Sequence, residues 1–133
     1  MKWISAQEVI AFHDRLLAVL SGVNGMPEPG RAEAIIYRVQ NQLYYEGVED
    51  IYELAAMYLV AISRGHIFND GNKRTAFFVT MAFLKRNGIE IRDEGNELEE
   101  LTVSAAMGAV DSAEIAVVLR QLSVNPHRRK KPL

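Results

Sequence analysis

Between Gly65 and Thr75 the chain reads G-H-I-F-N-D-G-N-K-R-T, which places an imidazole, a carboxylate, two amides and two cations in one short connection. Lys73 and Arg74 fall in the first turn of the segment that follows, where a helix dipole is positive and backbone N–H groups lack partners. Each cation there disfavours the helix by roughly 0.3–1 kcal/mol unless an anion is bound against the same N–H groups. Gly71 lets successive N–H groups curl into a concave nest, and Asn72 adds an amide donor. With Lys73 as a point charge and Arg74 as a two-pronged donor, the set describes a phosphate site at a helix N-terminus.

Asp70 stands beside that anion and admits two readings. It caps the helix, or it is the carboxylate that holds a Mg²⁺ arriving with phosphate oxygens and water. His66 is the loop residue that titrates near neutral pH and can take a proton from an attacking hydroxyl. Phe68, with Ile67, reads as an apolar peg that fixes the loop to the core. Together these residues describe phosphate transfer to a hydroxyl. Arg64 is an accessory candidate that orients the site, touches substrate, or complements the helix end it closes. The binding-only alternative is an interaction domain that holds phosphate or a phosphopeptide, for which His66 is unnecessary.

The elements that must position this loop are helical. Ser5 and Glu8 form a capping box, Ile4 and Val9 a hydrophobic staple, and Val9, Phe12, Leu16 and Leu20 follow helical spacing. His13 lies beside that face and reads as a packed histidine. A Gly- and Pro-rich loop from 21 to 30 leads into a helix over about 31–45, with Ile35, Ile36 and Val39 inward and Gly47 as its stop. Asp50 and Glu53 resemble a second capping box. From Ile51 to Ile62 only Glu53 is charged, which predicts burial on nearly every side. The helix after the loop begins near Asn72 and stops at Asn87-Gly88, with Lys85 and Arg86 complementing its last turn. Ile89-Glu90-Ile91 is too short to define a sheet. Helices over about 97–107 and 112–122 follow, the second capped by Asp111 with Glu114 three residues on. The expected fold is all-α: one compact bundle of about six helices over 1–123, then a basic, disordered tail over 124–133.

The composition narrows the function classes. At 133 residues, with 49% apolar and 24% charged side chains, the chain is an ordinary soluble globular domain. It has no cysteine, so thiolate nucleophiles, thiolate metal sites and disulfides are excluded. The net charge of −2 includes the cationic cluster Arg128 to Lys131, so the body is more acidic than the whole. An acidic body argues against direct nucleic-acid binding and assigns the loop cations to a small local anion. No secretory leader or membrane-length apolar run is present, and a cytoplasmic location is the expectation.

At the loop the sequence resembles the Fic/Doc family. His66, Phe68, Asp70, Gly71, Asn72 and Arg74 meet its signature H-x-F-x-(D/E)-G-N-x-R, and the likeness extends through His13-Asp14 and Gly30 to Ile36. The resemblance implies a mainly helical fold, ATP with Mg²⁺, and modification of a protein hydroxyl. His66 would be the base and Asp70 the metal ligand, with Gly71, Asn72 and Arg74 on the phosphates. Most Fic proteins transfer AMP, carry glycine where this chain has Lys73, and have a second arginine where it has Phe77. The Doc branch carries lysine and lacks that arginine, as here. Membership there implies a toxin of a toxin-antitoxin pair with a Phd-type antitoxin as partner. It also implies a kinase that transfers the γ-phosphate to a threonine of elongation factor Tu and so blocks translation. AMP transfer is the alternative.

Overall fold

The computed structural model describes residues 1–20 and 22–124, the side chain of Leu43 excepted. Six helices carry the chain: α1 (Ala6–Val19), α2 (Arg31–Glu46), α3 (Ile51–Arg64), α4 (Asn72–Arg86), α5 (Glu97–Ala106) and α6 (Ser112–Leu122). The bundle of about six helices is what the periodicity predicts. No described helix is long and apolar enough to cross a membrane. The expected cationic tail from 125 onward lies outside the described residues.

α3 is the central element, packed against α2, α4, α5 and α6. Its sequence accounts for that position, since Leu54, Ala55, Ala56, Tyr58, Leu59 and Ile62 are all fully buried. Alanines at 55 and 56 let neighbouring helices approach closely, and the larger side chains fill the space between them. Asp50 caps α3 by accepting from the Tyr52 N–H at 2.8 Å, and its other oxygen pairs with Arg120 of α6. The capping boxes at Ser5 and Asp111 form as the sequence predicts, each with its glutamate three residues on.

The N-terminus is locked onto this frame. Tyr58 accepts from the Ile4 N–H at 3.1 Å and donates to the Ile4 carbonyl at 2.9 Å. Burial pushes its phenol up to about 12. Trp3 packs on both Tyr58 and Phe83, at ring separations of 6.5 and 6.0 Å. Arg86 closes the far end of α4 onto α1 with contacts of 3.0 and 2.5 Å to the Glu8 carboxylate. Those hydrogen bonds hold the Glu8 carboxyl down at about 2.

The short segment after α4 is more ordered than its length suggests. Glu90–Ile91 (β1) pairs antiparallel with Ser123–Val124 (β2), Glu90 opposite Val124 and Ile91 opposite Ser123. Val124 therefore still belongs to the folded body, one residue beyond its expected end. The ribbon ties the chain after α6 to the C-terminal end of α4, while the other end of α4 carries the loop.

Candidate active site

The loop lies between two helices that cannot shift without unpacking the core. α3 ends at Gly65, where an added Cβ would stand 2.4 Å from both the Ala61 carbonyl oxygen and the Ile35 side chain. Only glycine fits that approach of α2 to α3. Arg31 of α2 then donates to the Gly65 carbonyl at 3.2 Å. Beyond it, Ile67 and Phe68 are buried, as the peg reading expects.

Asn72 braces the turn from its other side. Its amide oxygen accepts from the Phe68 N–H at 3.1 Å and its amide nitrogen donates to the Phe68 carbonyl at 2.9 Å. The expectation that this amide serves an anion is corrected in part: both ends hold the loop closed, and the backbone N–H is left for the nest. Asn69 extends the bracing to the α1–α2 connection, through its backbone N–H to Gly25 O at 2.9 Å and its side chain to Asn24 O at 3.0 Å.

His13 has the largest structural role that the sequence leaves unassigned. Its ring is buried and lies flat on Phe68, 3.6 Å between centroids and 3° between planes. Nε2–H donates to the Asp70 carbonyl at 2.8 Å, and Nδ1 lies 3.2 Å from an Asp14 oxygen. A buried imidazole must find partners for its polar atoms, and here the partner is the backbone of the loop. The signal available in sequence is its place on the inward side of α1, next to Val9 and Leu16.

On this support the chemical groups face one cleft of about 650 Å³, lined by His66, Asp70, Gly71, Asn72, Lys73 and Arg74. His13, Leu17 and Ser63 form part of its floor, and Met107 approaches from the end of α5. His66 takes φ 50°, a left-handed conformation that costs a non-glycine residue on the order of 1 kcal/mol. Gly71 takes φ 82° as the N-cap of α4, and no side chain caps that helix. No acidic residue occupies its first turn, so the N–H groups of Asn72, Lys73 and Arg74 open on the cleft without a carboxylate. Neither Lys73 nor Arg74 is ion-paired among the described residues. This end of α4 suits an anion.

Asp70 does not cap α4. One oxygen accepts from the Gly71 N–H at 2.8 Å and the other from the Val23 N–H at 3.3 Å, which aims the carboxylate along the cleft edge. No cluster of three or more His, Asp or Glu side chains that could hold a metal occurs among the described residues. A single oriented carboxylate beside a phosphate nest suits Mg²⁺, which takes one or two carboxylates and draws its other ligands from phosphate and water.

Arg64 stands apart from this constellation. It turns away from the cleft and donates to the Ala105 carbonyl at 2.7 Å and the Val110 carbonyl at 3.2 Å. It therefore clamps α3 to the end of α5 and to the α5–α6 turn by satisfying the Ala105 and Val110 carbonyls, and it does not line the cleft. Phe68 likewise acts from beneath, through His13, and does not line the cleft.

The sequence that builds this loop and its helices is similar to that of known proteins. The model of the Fic/DOC family matches residues 3–84, from α1 through nearly all of α4. The chain is also similar to the protein named Protein kinase doc of Escherichia phage P1. The two are 50% identical over 122 residues, which cover 92% of this chain and 96% of that relative. A match over that span includes every element that braces the loop, and the chain accordingly belongs to the Fic/DOC family.

Proposed function

We propose that the protein is a Doc-type toxin kinase that transfers the γ-phosphate of ATP to a threonine hydroxyl of elongation factor Tu and so stops translation. The observation that carries this reading is the joint placement of His66, Asp70 and the uncapped, cation-bearing end of α4 on one cleft. The printed name of the phage relative, a protein kinase, supports the choice among transferases. Its partner would be a Phd-type antitoxin, and its setting the cytoplasm, where the proposed target resides.

The residues divide the reaction between them. His66 takes the proton of the attacking hydroxyl as its oxygen bonds to the γ-phosphorus. The bond from that phosphorus to the β–γ bridging oxygen breaks, ADP departs, and the proton stays on the imidazole until solvent removes it. The N–H groups of α4 and the side chains of Lys73 and Arg74 stabilise the charge that spreads over the phosphoryl oxygens. Asp70 would hold Mg²⁺, which supplies further positive charge to the phosphate chain. The strained His66 backbone and the His13–Phe68 stack hold the base in place before substrate arrives, and this positioning is a large part of phosphoryl-transfer catalysis.

Lys73 and Phe77 favour γ- over α-phosphate transfer. Lys73 adds a charge where most of the family has glycine, and Phe77 removes the second arginine that would hold a polyphosphate tail. The test uses purified protein, elongation factor Tu, and ATP labelled at either the α- or the γ-phosphate. Label from γ alone is expected, on threonine; label from α alone would make the enzyme an AMP transferase.

A further inference from the structure

The end of α3 has a hollow on each side. Ser63 and His66 line the cleft, whereas Arg64 and Gly65, which stand between them in the chain, line a separate groove of about 660 Å³ between α2 and α3. Small side chains open it, Ala34 from α2 and Ala61 from α3. Arginines edge it from both helices, Arg31 and Arg38 on α2 and Arg64 on α3. Glu28 is the one acidic side chain among the described residues that line it.

That balance runs against the rest of the molecule. The whole chain has 17 acidic side chains and 15 basic ones, with four of the latter in the cluster Arg128 to Lys131, yet here three arginines meet one glutamate. Two of the three are already engaged. Arg31 donates to the Gly65 carbonyl at 3.2 Å and meets the Glu28 carboxylate at 2.7 Å. Glu28 is 64% exposed, so that pair is weak and an incoming carboxylate can take its place. Arg64 spends two of its five N–H groups on the Ala105 and Val110 carbonyls. Arg38 is exposed and has no hydrogen bond, ion pair or ring contact among the described residues.

We infer that this groove docks an acidic segment of the protein whose hydroxyl is phosphorylated. Charge complementarity names the occupant: carboxylates of that segment pair with Arg38 and Arg31, and Arg64 closes the α3 side. Guanidinium groups mounted on two packed helices suit carboxylates, which each can grip with two N–H donors. Position names the purpose. The bond from Arg31 to the Gly65 carbonyl joins the groove to the residue before His66, so a segment lying across the arginines is held beside the base that acts on its hydroxyl. The inference rests on the kinase reading and deepens it, by giving the protein substrate a seat apart from the phosphate cleft.

The test measures phosphorylation of elongation factor Tu by the full chain and by its Arg38→Glu and Arg38→Lys variants, with circular dichroism to show that each is folded. Arg38→Glu sets like charges against each other and is expected to raise the KM for the factor roughly tenfold or more, with the KM for ATP unchanged. Arg38→Lys keeps the charge and is expected to fall between that variant and the wild type. A second arm needs no turnover. Hexaglutamate is titrated into each chain with inorganic triphosphate filling the cleft, and Arg38→Glu is expected to bind it roughly tenfold more weakly than the wild type. An unchanged KM for the factor in folded Arg38→Glu, or equal hexaglutamate binding by both chains, would overturn the inference and leave the kinase reading standing. So would a KM for ATP that rises as much as that for the factor, since the groove would then serve the nucleotide. No transfer by the wild-type chain would overturn the kinase reading, and the hexaglutamate arm would still decide the groove.

Discussion

At the scale of single residues, the proposed reaction assigns the chemistry to His66 and Asp70, and His13 holds the loop between them through the Asp70 carbonyl. His66→Ala removes the base and is expected to lower phosphotransfer by a factor of about 10²–10⁴ with the circular dichroism spectrum unchanged. His13→Phe keeps a ring on Phe68 but loses the 2.8 Å bond to the Asp70 carbonyl. It is expected to cost about 0.5–1.5 kcal/mol in a urea titration, because the part-buried Asp70 carbonyl loses its donor, and to lower kcat more than KM. Arg64→Ala should destabilise the fold through the Ala105 and Val110 carbonyls while ATP affinity stays within about twofold; a large affinity loss would return Arg64 to the site. The cations are legible in sequence because they break local rules for a helix start, and His66 because it is the imidazole in the same short loop. The destinations of Arg64 and His13 are not, because their partners lie far along the chain and are backbone carbonyls, which every residue type presents.

At the scale of elements, α3 and α4 hold the loop, and α1 packs on α4 and holds the loop through His13. The pair at Glu8 and Arg86 makes that clamp sensitive to acid. Arg86 lowers the Glu8 carboxyl from its ordinary 4.5 to about 2, so the folded state binds this proton less readily than the unfolded chain. The stabilisation is therefore fully present above about pH 4.5 and is lost as the pH falls toward 2. Glu8→Gln should flatten the acid limb of the Tm profile in that window; an unchanged limb would show that the pair contributes nothing. Tyr58 acts at the other extreme. Its phenol, raised from 10.0 to about 12 by burial, favours the fold below pH 10, and that contribution disappears as the pH climbs through 12. Tyr58→Phe is expected to destabilise by about 1–3 kcal/mol, since the buried Ile4 N–H loses its acceptor. Helix boundaries are legible because capping boxes and glycine stops are local, as at Ser5, Asp111 and Gly47. The pairing of Glu90–Ile91 with Ser123–Val124 is not, since two residues are too few to display a period and the partner is distant in sequence.

At the scale of the whole molecule, the bundle is a rigid mount for one loop. The buried face of α3, the Tyr58 lock and the His13–Phe68 stack all limit motion around a strained His66. The fold class was legible because hydrophobic spacing, the run from Ile51 to Ile62 with Glu53 as its one charge, and helix punctuation agree with one another. The cleft itself was legible only as chemistry: its loop residues could be listed, but the part His13, Leu17 and Met107 take in lining it depends on how helices remote in sequence pack. Elongation factor Tu, ATP and a proton-accepting His66 meet in a single assay, transfer from ATP labelled separately at the α- and γ-phosphates, with His66→Ala as the control. The wild-type chain is expected to place γ-label on threonine and none from the α position, and His66→Ala to lower that transfer by a factor of about 10²–10⁴. Label from the α-phosphate alone, or undiminished γ-transfer by folded His66→Ala, would contradict it.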